Sequence, residues 1–88
     1  MKLNGEFVIR EVMGDIIAVP VGNTAKRIHG MIMLNEVSKV IMQCLENDTD
    51  IRCIVERVTE IFDVAADQAE SDIREFLNGL SALGVLDQ

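Results

Sequence analysis

The side chains that could perform catalysis or bind a metal are few in this chain, and they are not spaced for either task. His29 is the single histidine among 88 residues, so a site with two histidine ligands is excluded and a Ser-His-Asp arrangement has no supporting spacing. Cys44 and Cys53 do not form a Cys-x-x-Cys pair, and no glycine-rich phosphate loop is present. We therefore expect no catalytic residue, no metal and no cofactor, and the protein is not expected to be an enzyme.

Carboxylates are the most numerous chemical groups, and the net charge is −7. Residues 1–34 carry 4 bases and 3 acids, whereas residues 35–88 carry 12 acids and 4 bases. Most of these acids fall between apolar positions of helical spacing, which is typical of a solvated helix surface. The second part of the chain is therefore expected to be acidic on its outside.

Length and composition indicate one domain over residues 1–88. Hydrophobic residues make up 49% of the chain, which is enough for one core. The apolar runs are far shorter than the ~20 residues that cross a bilayer, and residues 1–6 lack the apolar stretch of a signal peptide. We expect a cytoplasmic protein without a membrane partner, whose two thiols are reduced.

Three strands are predicted before residue 35. Phe7–Val12 and Ile16–Val21 are rich in β-branched residues, and Met13-Gly14-Asp15 between them is typical of a tight hairpin. Residues 22–25 have the composition of a loop. A third strand is predicted over Ile28–Leu34. In a simple meander the second strand is central and the third lies at an edge.

Apolar residues at steps of three and four predict helices through the rest of the chain. The first should follow an N-cap at Asn35 and end near Asn47. The second should be capped by Thr49 or Asp50 and end around residues 62–63.

The third helix should be capped through the acid-x-x-Glu spacing of Asp67 and Glu70. Gly84 is a candidate left-handed C-cap, after which Val85 and Leu86 return to the core. The whole pattern predicts an α+β, winged-helix-like fold, in which a three-stranded antiparallel sheet precedes three helices.

A winged helix suggests DNA binding, but charge disfavours it here. Over residues 67–83 the third helix carries four acids against Arg74 alone. Duplex DNA is bound largely through neutralised phosphates, so an acidic helix would be repelled. Arg10, Lys26 and Arg27 form only a weak basic footprint. A DNA-binding regulator is kept as an alternative, and no nucleic-acid partner is expected.

The segment Gly30–Leu34 contains neither the charge nor the proline that usually protects an edge strand. An extended peptide could add there as a fourth strand, and flexible Met31 and Met33 suit such a surface. Alternatively, the two methionines complete the core or pack a homodimer. The protein would then be a structural subunit that pairs through its sheet edge.

The order of these motifs resembles the PqqD family, the small proteins of pyrroloquinoline quinone biosynthesis and the related RiPP precursor-peptide recognition elements. Leu34-Asn35-Glu36-Val37, followed by the helix Val40-Ile41-x-x-Cys44-Leu45, resembles the L-N-x-x-…-I-x-x-L opening of the family. Residues 51–64 are similar to its second helix with the aromatic-Asp-Val exit. Residues 72–86 are similar to its closing pattern. The resemblance covers about residues 28 to 86.

The resemblance implies a function in binding the leader segment of a ribosomally made precursor peptide and presenting it to a modifying enzyme, often a radical SAM enzyme. It places the leader along the third strand, in a groove shared with the third helix. The positions so implied, together with the two bases before the strand, are Lys26, Arg27, Ile28, His29, Met31, Ile32, Met33, Ala69, Asp72, Ile73 and Phe76.

Several of these residues have two interpretations. Lys26 and Arg27 either hold acidic leader residues or are solvated loop charges, because exposed ion pairs contribute only ~0–1 kcal/mol. Asp72 either bonds to a ligand or caps a local network. Phe76 either faces the groove or belongs to the core.

Overall fold

A computed structural model describes all 88 residues, which form five strands and four helices. The architecture is α+β, as predicted. In chain order the elements are β1 (Lys2–Leu3), β2 (Phe7–Val12), β3 (Asp15–Pro20), α1 (Thr24–Arg27), β4 (Ile32–Leu34), α2 (Glu36–Cys44), α3 (Ile51–Ile61), α4 (Ala66–Ala82) and β5 (Leu86–Asp87).

The main sheet has the order β2-β3-β4 with antiparallel neighbours, which confirms the predicted meander. The hairpin between β2 and β3 turns through Met13 (φ 52°) and Gly14 (φ 87°). A two-residue hairpin turn needs positive φ at both central residues if its twist is to match that of the strands. β4 pairs with β3 in the register Ile17↔Met33 and has no partner on its other side.

The predicted third strand was too long at its beginning. β4 starts at Ile32 rather than Ile28, and the predicted loop at residues 22–25 runs into the short helix α1. Thr24 is buried and its Oγ1 accepts the amide of Glu6 at 2.8 Å, while the amide of Ile28 donates to the Thr24 carbonyl at 2.9 Å. The second bond closes a helical turn and the first ties it to the N-terminal segment, and Gly30 at φ 100° then interrupts the extended backbone.

A second, two-stranded sheet joins the ends of the chain, and no local pattern predicted it. β1 pairs with β5 in the register Leu3↔Leu86. Val85 and Leu86 are buried, so the predicted return of this segment to the core is confirmed. The N-terminal residues therefore pair with β5 and leave β4 uncovered.

The first two long helices have the predicted caps. Asn35 Oδ1 accepts the Ser38 amide at 2.8 Å while Ser38 Oγ accepts the Asn35 amide at 2.8 Å, a reciprocal capping box. α2 ends at Cys44, earlier than the predicted residue 47. Asp50 caps α3 by accepting the Cys53 amide at 2.8 Å.

The predicted start of α4 was wrong. Ala65 is the N-cap without a side-chain bond, and Asp67 lies in the first turn. An acid is favoured both as N-cap and in the first turn, so spacing does not separate the two positions. The helix ends as predicted, because Gly84 has φ 75° and the Val85 amide donates to the Leu80 carbonyl at 3.2 Å.

The core lies between one face of the main sheet and the helices, and α4 contributes more side chains to it than any other element. None of the four helices combines the length and the apolar content that crossing a membrane demands. The 14 clustered core residues are Ile16, Ala18, Leu34, Ile41, Met42, Leu45, Ile54, Val58, Ala69, Ile73, Leu77, Leu80, Val85 and Leu86.

Candidate functional site

An open groove of about 770 Å³ separates β4 from α4, with the beginning of α2 at its third side. Its volume lies in the range of ligand-binding clefts. Eight of its 13 lining residues are hydrophobic, so the groove can take an apolar guest. The lining residues are Ile32, Met33, Leu34, Asn35, Val37, Ser38, Ile41, Asp72, Glu75, Phe76, Gly79, Leu80 and Leu83.

The β4 wall is an unpaired strand edge. Because β4 pairs only with β3, the backbone N–H and C=O groups on its other side have no strand partner. Leu34 is buried and Ile32 half-buried, whereas Met33 is 61% exposed, so successive side chains of β4 differ in their burial as expected for a strand. Met31 lies just before the strand and is 57% exposed. Neither methionine therefore completes the core of this chain.

The α4 wall is a stripe along one side of the helix. Asp72, Phe76, Gly79 and Leu83 follow at steps of four, three and four residues, which align on one helix face. Phe76 is half-buried and packs against the core, and Leu83 is 49% exposed. The wall is apolar towards its C-terminal end and carries carboxylates towards its N-terminal end.

Gly79 is the one position of this wall that has no side chain. A Cβ built on it would meet no atom within 4 Å, so no neighbouring side chain requires a glycine there. Glycine weakens a helix interior by about 1 kcal/mol relative to alanine. The missing side chain therefore widens the groove at a cost to helix stability.

The α2 wall is polar but already hydrogen-bonded. Asn35 and Ser38 bond to each other through the capping box, so their side-chain oxygens are engaged. Val37 and Ile41 add apolar surface behind them. The capping box fixes the direction in which α2 leaves β4.

The charged side chains that line the groove are all acidic. Asp72 and Glu75 are its only ionisable lining residues, and both are exposed. Asp72 Oδ1 accepts a bond from Gln68 Nε2 at 2.9 Å, whereas the Glu75 carboxylate makes no hydrogen bond or ion pair. The groove therefore presents two carboxylates without a protein cation.

Four of the residues expected at the site line the groove, namely Ile32, Met33, Asp72 and Phe76. Ala69 is 2% exposed and Ile73 is fully buried, so these two support α4 from the core side. The remaining residues precede β4 and do not line the groove, and they are Lys26, Arg27, Ile28, His29 and Met31.

Arg27 has a defined position at the chain ends. Its guanidinium donates to the Asn4 side chain at 2.8 Å, to the Asn4 carbonyl at 3.1 Å and to the Gly84 carbonyl at 3.4 Å. These bonds join α1 to the N-terminal segment and to the turn after α4. Arg27 is thus bonded within the chain and is not a free loop cation.

The groove also contains residues that were not predicted at the site, namely Glu75, Gly79, Leu83 and the residues of α2. The signal was present, since the stripe that contains Asp72 and Phe76 continues to Gly79 and Leu83 at the same spacing. Asn35 directly follows β4, so the start of α2 had to lie beside the strand.

The thiols have no activating environment. Burial raises the pKa of Cys44, and the hydrogen bond with the Asp50 carboxylate raises the pKa of Cys53. A raised pKa lowers the thiolate fraction, which is the opposite of what a nucleophilic cysteine needs. No group of three or more His, Cys, Asp or Glu side chains is arranged to hold a metal ion.

The sequence between residues 21 and 86 matches the family model described as Coenzyme PQQ synthesis protein D (PqqD). This span is most of the chain and contains β4 and the three long helices. The chain belongs to the PqqD family. The resemblance drawn from residues 28–86 is thereby confirmed.

A solved structure has the same fold. It is described as "TbiB1 in Complex with the TbiA(beta) Leader Peptide", and it matches with a TM-score of 0.71 over 99% of this chain and 95% of that chain. Sequence identity is 21%, so this likeness concerns the fold. Among curated proteins, none matches the sequence.

Proposed function

We propose that this PqqD-family protein binds the leader segment of a ribosomally made precursor peptide and presents it to a modifying enzyme. The observation that carries the proposal is the unpaired edge of β4, which forms one wall of an apolar groove. The family supports it, as does the shared fold with TbiB1, whose structure contains a leader peptide.

The binding mode is addition of a strand to the sheet. The guest backbone pairs with the free N–H and C=O groups of β4, which sets its register without demanding a particular sequence. Alternate side chains of an extended guest point to the same face. Those on the inner face enter the groove between Ile32 and Phe76, where each Å² of buried apolar surface contributes about 25 cal/mol.

The proposed contacts are those with access to the groove. Ile32 and Met33 contribute from the strand, and Asp72 and Phe76 contribute from the helix. Glu75, Gly79 and Leu83 extend the same wall and complete the contact surface: none of these three is buried. Ala69 and Ile73 act on the guest only through the position of α4, since the core encloses both.

The role is non-catalytic, and residues 1–88 act as one winged-helix-type binding domain. The enzyme that receives the peptide performs the chemistry, and a radical SAM enzyme is the class that we propose for it, as in pyrroloquinoline quinone biosynthesis. The proposed compartment is the cytoplasm, where precursor peptides are made.

The direct test is titration of ¹⁵N-labelled protein with the leader segment of a precursor encoded beside its gene. Amide signals of residues 32–34 and of the groove side of α4 should shift, and outward amides of β4 should become protected from exchange. Shifts confined to β2 or α3 would contradict the proposal.

A modified peptide tests the strand pairing itself. An N-methyl group on a guest residue whose amide faces β4 removes one ladder bond and should lower affinity by roughly tenfold. Moving the methyl group to the next residue, whose amide faces away, should leave affinity nearly unchanged. Equal effects at both positions would exclude an added strand.

An edge-to-edge homodimer is the second use that the exposed β4 edge allows. Met33 is exposed on that strand, so Met33→Lys should weaken peptide binding while the molecular mass in light scattering stays that of a monomer. A dimer of the unchanged protein that this substitution dissociates would instead favour the structural-subunit alternative.

A further inference from the structure

The charge of the groove points to a property of its guest. Asp72 and Glu75 are three residues apart on α4, so their carboxylates lie on neighbouring positions of one face. Like charges at this spacing destabilise a helix slightly unless a cation approaches them. Here the one base of the helix, Arg74, bonds to Glu70 through Nε and Oε2 at 3.1 Å. The two carboxylates that face the groove are left without a cation partner, and Asp72 keeps only the neutral hydrogen bond from Gln68.

No cation from another element compensates them. Lys39, on α2, pairs with Glu11 of β2 at 3.7 Å, and none of the five ion pairs contains a residue that lines the groove. Arg27 is bonded to Asn4 and to the turn after α4. The bases nearest to β4 in sequence therefore do not enter the groove.

The beginning of α2 is the one positive feature that faces the groove, since a helix N-terminus carries a partial positive charge. Asn35 caps the Ser38 amide there, and Glu36 lies in the first turn. Both features reduce the attraction of this end for an anion. The two α4 carboxylates are therefore the full charges that line the groove.

We propose that the guest strand carries a lysine or arginine that faces Asp72 and Glu75, next to apolar residues that face Phe76 and Leu83. This inference rests on the proposed function and specifies its ligand class as a basic, amphipathic strand. It has the opposite sign to the acidic leader that Lys26 and Arg27 suggested from sequence. Charge complementarity of this kind contributes mainly to selectivity and association rate.

The test selects guests from a phage library of short random peptides. Three immobilised proteins are compared: the unchanged chain, the groove variant Asp72→Lys/Glu75→Lys, and the control variant Asp15→Lys/Asp63→Lys. The side chains of Asp15 and Asp63 are exposed, make no hydrogen bond or ion pair and lie outside the groove. Both variants alter the net charge of −7 by the same amount, so general attraction for basic peptides changes equally.

The unchanged chain and the control variant should enrich peptides with a basic residue beside apolar ones. The groove variant should lose this preference and enrich acidic residues instead. For one selected peptide, exchanging its basic residue for glutamate should lower affinity for the unchanged chain about tenfold at low salt, and less at high salt. The same exchange should raise affinity for the groove variant.

Two other results would overturn the inference in distinguishable ways. Selected peptides that shift β4 amides but show no basic preference, or the same preference with the groove variant, refute the charge assignment and leave strand binding intact. Selected peptides that never shift β4 amides refute the proposed function together with the inference.

Discussion

Two substitutions at Gly79 can test the stability of α4 and the binding of a guest in the groove separately. The residue lies inside the helix, and a Cβ there would contact nothing within 4 Å. Gly79→Ala should therefore raise the free energy of unfolding by about 0.5–1 kcal/mol, the usual difference between the two residues in a helix. For a domain of this size the gain corresponds to a Tm increase of about 2–8 °C.

A longer side chain at the same position should affect binding instead. Gly79→Leu introduces a strong helix former, but its side chain occupies the part of the groove beside Gly79, where the guest would pack. Overpacking of an apolar contact costs about 1–3 kcal/mol, which is roughly 5- to 150-fold in affinity. Stability should stay at or above that of the unchanged chain, because the Cβ enters open space and leucine is a better helix former than glycine.

Urea unfolding and calorimetric titration with the leader peptide measure the two effects independently. Ser81→Leu is the matched control, because Ser81 is exposed on the same helix and does not line the groove. It should leave affinity unchanged. Our assignment of the groove as the guest site would be refuted by full affinity in Gly79→Leu, and our account of the open space by a destabilised Gly79→Ala.

Three further predictions concern the caps and the chain ends. Asn35→Ala removes the α2 capping box and should lower the free energy of unfolding by about 1 kcal/mol in urea, whereas Asn47→Ala should change it little. The hydrogen bond that the Cys53 amide donates to the Asp50 carboxylate lowers the pKa of Asp50 in the folded protein. The ionised carboxylate therefore stabilises the fold at pH values above the pKa of the unfolded chain. This contribution is lost as the pH falls through the lower pKa of the folded state. Asp50→Asn does not titrate, so the advantage of the unchanged chain in urea midpoint should shrink below about pH 4. Arg27→Ala should leave the affinity for the leader peptide in calorimetry unchanged, since Arg27 does not line the groove. A lower affinity would show that Arg27 contributes to peptide binding.

The parts of the fold that sequence predicted depend on short-range chemistry. The turn at Met13 and Gly14, the Asn35 cap and the Gly84 C-cap are each decided by a few neighbouring residues. The pairing of β1 with β5 joins residues at opposite ends of the chain, such as Leu3 and Leu86, and no local pattern reports it. The start of β4 was missed because α1 is anchored by Thr24 Oγ1, which accepts the amide of Glu6, again a distant residue.

The sequence predicted which two elements, β4 and α4, form the site, but not which of their side chains face the groove. Helical spacing identified α4, yet it does not say which flank of the buried stripe faces β4. Asp72 and Phe76 lie on the flank that faces the groove, while Ala69 and Ile73 face the core. Arg27 is adjacent to the predicted strand in sequence, but its partners Asn4 and Gly84 are far from it along the chain.

The contacts that escaped prediction also explain why the β4 edge stays open. The N-terminal segment is the part of the chain that could cover it, but Asn4 donates to the Gly84 carbonyl at 3.1 Å and accepts from Arg27, and β1 pairs with β5. An open edge invites self-pairing, which proteins usually suppress with charge. β4 itself carries none, so the suppressing charge has to come from beside it. In a symmetric edge-to-edge dimer both subunits would bring an acidic α4 wall to the shared interface, because each β4 lies across the groove from its own Asp72 and Glu75. The acidic wall would therefore oppose pairing between copies while favouring a basic guest, and one feature of α4 accounts for both.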